Sequence, residues 1–185
     1  QKALEYYEKA LPISQEVGDR SQEATTLSNI GLVYSDIGKP QKALEYHEKA
    51  LPISQEVGDR SQEATTLNNI GLVYITIGQA QKALEYYEKA LLISEEVGDR
   101  SQEATTLNNI GGVYHSVGQP QKALEYLEKA LPILQEVENR SIEAITLSNI
   151  GFVYRDSNQP EKAIDHWEKS VKITLEMRGG LKKEN

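Results

Sequence analysis

Cysteine is absent from all 185 residues, so the chain has no disulfide framework, no thiolate nucleophile and no zinc site built on sulfur. A reducing, cytoplasmic setting is the expectation. An excess of positive charge is missing too: 28 Asp and Glu against 20 Lys and Arg leave a net charge of −8. Nucleic acid and anionic membranes both recruit clustered Lys and Arg, so neither is expected as a partner. No apolar run approaches the roughly 18 residues needed to span a bilayer, and no charged segment followed by an apolar one opens the chain.

The residues of catalysis are scarce as well. His47, His115 and His166 fall at different phases of different repeats, a spacing that suits neither a metal cluster nor a nucleophilic triad. Glycines fall at helix ends or close-packing positions, and no Gly-rich loop follows a strand, so a phosphate cradle is not expected. No enzyme activity, no cofactor and no metal are expected. Glu5, Glu8, Glu16 and Glu23 read as solvated helix faces.

What the chain has in abundance is repetition. Gln1-Lys2-Ala3-Leu4-Glu5-Tyr6 returns every 40 residues, at Gln41, Gln81 and Gln121, and then as Glu161-Lys162-Ala163-Ile164. Residues 1–40 and 41–80 differ at six places only, as recent duplication or deliberate repetition would leave them. The chain opens in mid-pattern and without Met, and so reads as a segment of a longer protein.

Each repeat predicts two helices. In the first, A, residues Ala24, Leu27, Ile30, Gly31 and Tyr34 share one face at a 3.6-residue period. Gly18 suits the end of the preceding helix, and Asp19 with Gln22 suits a capping box. Helix A stops at Gly38, and Pro40 suits the first turn of the second helix, B. There Ala43, His47, Ala50, Leu51 and Val57 continue the apolar stripe. Pro12, Pro52 and Pro132 lie inside helices B, where a kink is predicted rather than a break, because Leu92 and Lys172 occupy the same phase.

Two short helices with one apolar stripe each cannot hide it alone, so successive pairs are expected to stack into a superhelix. The predicted organisation is one array over 1–178. It comprises a lone helix B at 1–17, A/B pairs at 22–57, 62–97, 102–137 and 142–178, and a frayed tail at 179–185. The last pair is more polar, with Asp165, Ser170 and Lys172 replacing Glu, Ala and Pro, in the manner of a terminal cap. The first helix B lacks a helix A to cover its apolar side.

The spacing Leu27-x2-Ile30-Gly31-x2-Tyr34, followed by Gly38, Ala43 and Ala50, resembles the tetratricopeptide signature. It recurs at Leu67-Ile70-Gly71-Tyr74, Leu107-Ile110-Gly111-Tyr114 and Leu147-Ile150-Gly151-Tyr154. The long repeat, and Thr66-Leu67-Asn68-Asn69-Ile70 in particular, is similar to the branch containing kinesin light chains, Pins/LGN-type adaptors and bacterial arrays. The resemblance implies an all-α solenoid, a right-handed superhelix of nine helices in antiparallel pairs, whose function is to bind a protein or extended peptide. A physical expectation accompanies it: Gly31 and Ala43 allow close helix approach, Tyr34 fills the space, and a larger residue at Gly31 clashes.

Differences between repeats are not scattered. On helix A they concentrate at Ser28/Asn68/Asn108/Ser148, Leu32/Leu72/Gly112/Phe152, Ser35/Ile75/His115/Arg155 and Asp36/Thr76/Ser116/Asp156. Offsets of i, i+4, i+7 and i+8 make one helical face. The Lys2, Glu5 and Glu8 positions, also expected to be solvated, barely change, which favours recognition over drift. By resemblance this face lines a concave groove, apolar at Leu32, Leu72, Ile75 and Phe152 and charged at Asp36, Arg155 and Asp156. Ser35 and His115 share it. Asn29, Asn69, Asn109 and Asn149 recur at its edge, where an amide can pair with a peptide main chain or bridge neighbouring helices. Asn68 and Asn108 lie on the varying face and are the stronger candidates for ligand contact. An alternative of a different class is a structural module that associates end to end with another copy through its uncovered first helix.

Overall fold

The turn at Gly58-Asp59-Arg60 separates one repeat from the next by local chemistry. Gly58 closes the preceding helix at φ +71°, a left-handed conformation that costs glycine nothing. The Asp59 carboxylate then accepts the backbone N–H of Gln62 at 2.9 Å, satisfying one of the free donors of the new helix. The capping box is half formed, because the Gln62 side chain donates onward to Thr66 instead of turning back. With Asp59 as cap, the helix starts at Arg60, two residues before the Gln62 predicted from the sequence. The other helices A begin early in the same way, at Arg20, Arg100 and Arg140 rather than Gln22, Gln102 and Ile142.

The computed structural model describes residues 2–181 and contains, among the described residues, nine α-helices and no strand. They fall into two units. The first holds α1 (Lys2–Glu16), α2 (Arg20–Asp36), α3 (Pro40–Val57), α4 (Arg60–Thr76) and α5 (Ala80–Val97). The second holds α6 (Arg100–Ser116), α7 (Pro120–Glu136), α8 (Arg140–Asp156) and α9 (Pro160–Leu181). Helices α1, α3 and α7 run unbroken through Pro12, Pro52 and Pro132. Helix α9 continues through Gly179 to Leu181, past the end predicted at 178. Glycine lowers helix stability by only about 1 kcal/mol, which an already formed helix can absorb for a turn. The rest of the predicted tail, 182–185, lies outside the described residues.

Each unit is held by apolar stripes that three successive helices share. In the first, Ala64 and Leu67 of α4 pack on Ala90 and Ile93 of α5, with Leu51 of α3 against the same cluster. In the second, Ile150 and Val153 of α8 meet Ala123 and Leu127 of α7. Ile30, Ile70 and Ile110 are fully enclosed, a burial worth about 1.5–3 kcal/mol for each side chain. Val57, assigned to the stripe from its spacing, is instead 40% exposed at the helix end.

The close approach at the helix-A glycines is made against the side chain seven residues into helix B, not against Tyr34. A Cβ on Gly71 would lie 2.6 Å from Tyr87 Cε1, and one on Gly31 would lie 2.6 Å from the His47 ring. Tyr34 stacks on Tyr46 at 5.3 Å, with Lys42 over the first ring and Lys49 over the second. Because the Tyr87 ring is only 1% exposed and has nowhere to retreat, Gly71→Ala is expected to destabilise by about 1–2 kcal/mol despite alanine's better helix propensity. A Cβ on Gly112 meets nothing within 4 Å, so Gly112→Ala is expected to stabilise by about 0.5–1 kcal/mol. Urea denaturation of the two variants checks both signs.

A polar device recurs beside the apolar one. Glu63 is 6% exposed and receives Gln55 Nε2 from α3 at 2.9 Å and Arg60 Nη1 from its own helix at 2.5 Å. Arg60 Nη2 reaches on to Glu96 of α5 at 2.5 Å, so three consecutive helices are tied through the Glu63–Arg60 pair. The same chain runs through Gln15, Glu23, Arg20 and Glu56, and through Gln135, Glu143, Arg140 and Glu176. Glu23 therefore does not lie on a solvated face, as its position in the charge pattern suggests; it is a buried hub.

Candidate functional site

Within each unit the backbones of neighbouring helices A come within 8 Å of one another, α2 with α4 and α6 with α8, whereas among the described residues those of neighbouring helices B do not. Neighbouring helices A therefore lie closer together than neighbouring helices B of the same unit.

The four variable offsets of helix A do not share one environment. The first is turned into the seam between neighbouring helices A: Ser28, Asn68 and Asn108 are buried, and Ser148 is half-buried. The Asn108 carbonyl oxygen accepts from Thr146 Oγ1 at 3.0 Å and from Asn149 Nδ2 at 3.1 Å, both on α8. These bonds join α6 to α8, so the Asn108 acceptor is engaged inside the fold. Asn29, Asn69, Asn109 and Asn149 are half-buried beside this seam.

The other three offsets open outward. In the first unit Leu32 and Leu72 are exposed at 37% and 47%, Ser35 and Ile75 are half-buried, and Asp36 and Thr76 are exposed. In the second unit Phe152 is 38% exposed, with its ring edge-on to Trp167 at 5.4 Å. Gly112 leaves open space where Leu32 and Leu72 stand in the other unit. His115 Nε2 lies 2.9 Å from Asp156 Oδ2, linking α6 to α8, and Arg155 Nε donates to Asp156 Oδ1 at 2.7 Å. Arg155, first, and then His115 hold the Asp156 carboxyl below its ordinary range.

The three histidines stay apart. His47 is fully buried under Gly31, His166 Nδ1 lies 2.8 Å from the Lys162 carbonyl, and His115 sits on α6 against Asp156 of α8. Among the described residues no cluster of His, Asp and Glu could hold a metal ion, and no helix is long and apolar enough to cross a membrane. Apolar side chains are also uncovered elsewhere: Tyr6, Ile13 and Val17 in the first unit, and Ile164, Val171 and Leu175 along α9.

The sequence matches the tetratricopeptide repeat family over residues 1–56, 62–136 and 102–176. No curated protein matches it in sequence. Among solved structures it is similar to BtubC (BKLC) from P. vanneervenii, at 27% identity and a TM-score of 0.81 over 94% of this chain and 72% of that one. A set of nearly identical kinesin light chain TPR-like repeats from Podosopora anserina has the same fold at 18% identity, with a TM-score of 0.74 over 96% of this chain and 88% of that one. So does a Rap protein complexed with Competence and Sporulation Factor, at 20% identity and a TM-score of 0.85, although this chain spans only 48% of its length. The fold is a scaffold, typically non-catalytic and generally used for protein–protein interaction. With its capped helix pairs, its recurring Leu-x2-Ile-Gly-x2-Tyr face and a family match covering most of its length, the chain belongs to the tetratricopeptide repeat family.

Proposed function

We propose that this chain is a binding scaffold that holds an extended segment of a partner protein along the inner, helix-A face of its units. One observation carries the reading: of the four positions at which helix A varies most between repeats, three have side chains that open from the helix-A face, while its packing positions, Leu27, Ile30, Gly31 and Tyr34 and their repeats, do not change. Leucine and phenylalanine left exposed there, at Leu32, Leu72 and Phe152, supply apolar contact, and the half-buried asparagines beside them can pair with a peptide main chain. That a Rap protein of this fold was crystallised with Competence and Sporulation Factor agrees with such a use.

The test begins with a random nonapeptide library displayed on phage and panned against the protein. A selected peptide is then titrated against a double variant of the inner face, Leu72→Glu with Ile75→Glu, and against Glu88→Lys on the outer surface of α5. The inner variant is expected to lose roughly tenfold or more in affinity, the outer one less than twofold. Equal losses in both would place binding elsewhere.

A second reading, self-association, is favoured by the uncovered Tyr6, Ile13 and Val17 of the first unit. Light scattering over a dilution series decides it, since a constant monomer mass dismisses assembly.

A further inference from the structure

Helix α9 leaves open an apolar stripe that is covered on the equivalent helix of the preceding repeat. On α7, Leu124 and Leu131 are half-buried, because α8 lies over them with Ile150 and Val153, and with Ala144 and Leu147. One repeat further on, Ile164 and Val171 of α9 occupy the same positions and are 52% and 56% exposed. Gln135, which on α7 reaches Glu143 of α8, gives way to Leu175, 61% exposed. With Trp167 these side chains border an open groove of about 520 Å³. The turn that would lay a following helix over the stripe is not made in α9. Arg178 and Gly179 stand where Gly58 and Asp59 end α3 and cap α4, and α9 runs on to Leu181.

We propose that the α9 stripe is the contact through which two copies of this chain pair, their α9 helices antiparallel about a two-fold axis. Ile164, Glu168, Val171 and Leu175 follow one another at spacings of four, three and four residues, which keeps them on one side of the helix. The charges select both the second copy and its direction. A two-fold axis between Lys169 and Ser170 lays Ile164 against Leu175 of the second copy, and Val171 against the Glu168 stem. Lys172, at the edge of the stripe, then comes within reach of Asp165 and Glu168 of the second copy, and the symmetry repeats the arrangement. Parallel pairing in register would instead set Glu168 against Glu168 and Lys172 against Lys172. Both the cation and the last apolar residue are particular to α9. Lys172 stands where the other helices B have Pro12, Pro52, Leu92 and Pro132, and Leu175 where they have Gln15, Gln55, Glu95 and Gln135. Four side chains from each copy make a small interface, so the pair is expected to be weak, with a Kd of about 10–100 μM. Seating α9 on Tyr6, Ile13 and Val17 of another copy is a different arrangement, one that builds open chains rather than a closed pair.

Sedimentation equilibrium from about 1 μM to 1 mM tests the pairing on the wild type, Val171→Glu, Lys172→Glu and Ile13→Glu. The wild type is expected to reach a dimer and go no further. Val171→Glu is expected to raise Kd roughly tenfold or more, Lys172→Glu about fivefold, and Ile13→Glu not at all. Exchanging the charges, Glu168→Lys with Lys172→Glu, should recover part of the loss, which a merely structural role for Lys172 would not produce. Circular dichroism checks that each variant keeps its helix content. The chain has no cysteine, so direction can be read by disulfide formation under mild oxidation. Ile164→Cys and Leu175→Cys proteins are expected to cross-link when mixed, and each far less by itself. A wild type that stays monomeric throughout overturns the pairing and leaves the stripe to a partner of different sequence. A dimer that Val171→Glu does not weaken, or assembly abolished by Ile13→Glu, overturns it in favour of another surface. Leu175→Cys protein that cross-links to itself in preference to the mixture overturns the antiparallel arrangement. The inner-face reading is decided separately, by the peptide titration.

Discussion

Replacing His47 with leucine is expected to stabilise the protein by about 1–3 kcal/mol at neutral pH and to remove much of its sensitivity to mild acid. The His47 ring is fully buried, and neither nitrogen has a hydrogen-bond partner among the described residues. An unpaired buried polar group carries a desolvation cost of that order. The same position holds Leu127 in the second unit, fully buried beneath Gly111 as His47 is beneath Gly31, so a leucine has a ready precedent for its fit.

The acid response follows from the same burial, which depresses the His47 pKa from 6.5 to about 4. Between those values the unfolded chain takes up a proton that the folded chain refuses. Stability therefore falls as the pH drops from 6.5 toward 4, by up to roughly 3 kcal/mol, and this contribution levels off below 4. Urea denaturation at pH 7 and pH 5 of the wild type and His47→Leu measures it. A wild-type loss no larger than that of the variant would refute the assignment to His47.

Glu63→Ala is expected to destabilise by about 2 kcal/mol, unusually much for a glutamate on a charged helix. The substitution removes two charge-assisted or amide bonds and leaves a gap among α3, α4 and α5. The figure stays below that for a fully buried pair because Arg60 is 40% exposed and water can solvate it once released. Glu88→Ala, on an exposed stretch of α5, is the comparison and should change stability by less than about 0.5 kcal/mol. Equal thermal midpoints for the two variants would show that Glu63 is no hub.

Helix positions were legible because punctuation and period are local. Gly58, Asp59 and the stripe of Leu67 and Ile70 report backbone conformation and sidedness within a few residues, so the pairs appear in the right order with edges two residues adrift. The hub at Glu63 was hidden because Gln55 lies eight residues back and Glu96, reached through Arg60, thirty-three ahead, and a carboxylate among many reads as surface. Its unchanging recurrence beside Arg20, Arg60, Arg100 and Arg140, in a chain where other positions drift, was the signal available.

The inner face divides in the same way. That positions 32, 35 and 36 and their repeats share a side of helix A follows from the 3.6-residue period, a property of one helix. Which of the varying residues point outward does not, because it depends on where the next helix A lies. That packing turns Asn108 into the seam with α8 and leaves Leu72 and Phe152 open. The linear chain therefore specified the helix pairs and the sidedness of each helix, both set by short-range backbone chemistry. Tertiary packing decided that the stripe on α9 lies open where that on α7 is covered, and that His47 is sealed without a partner among the described residues, because both depend on which side chains meet.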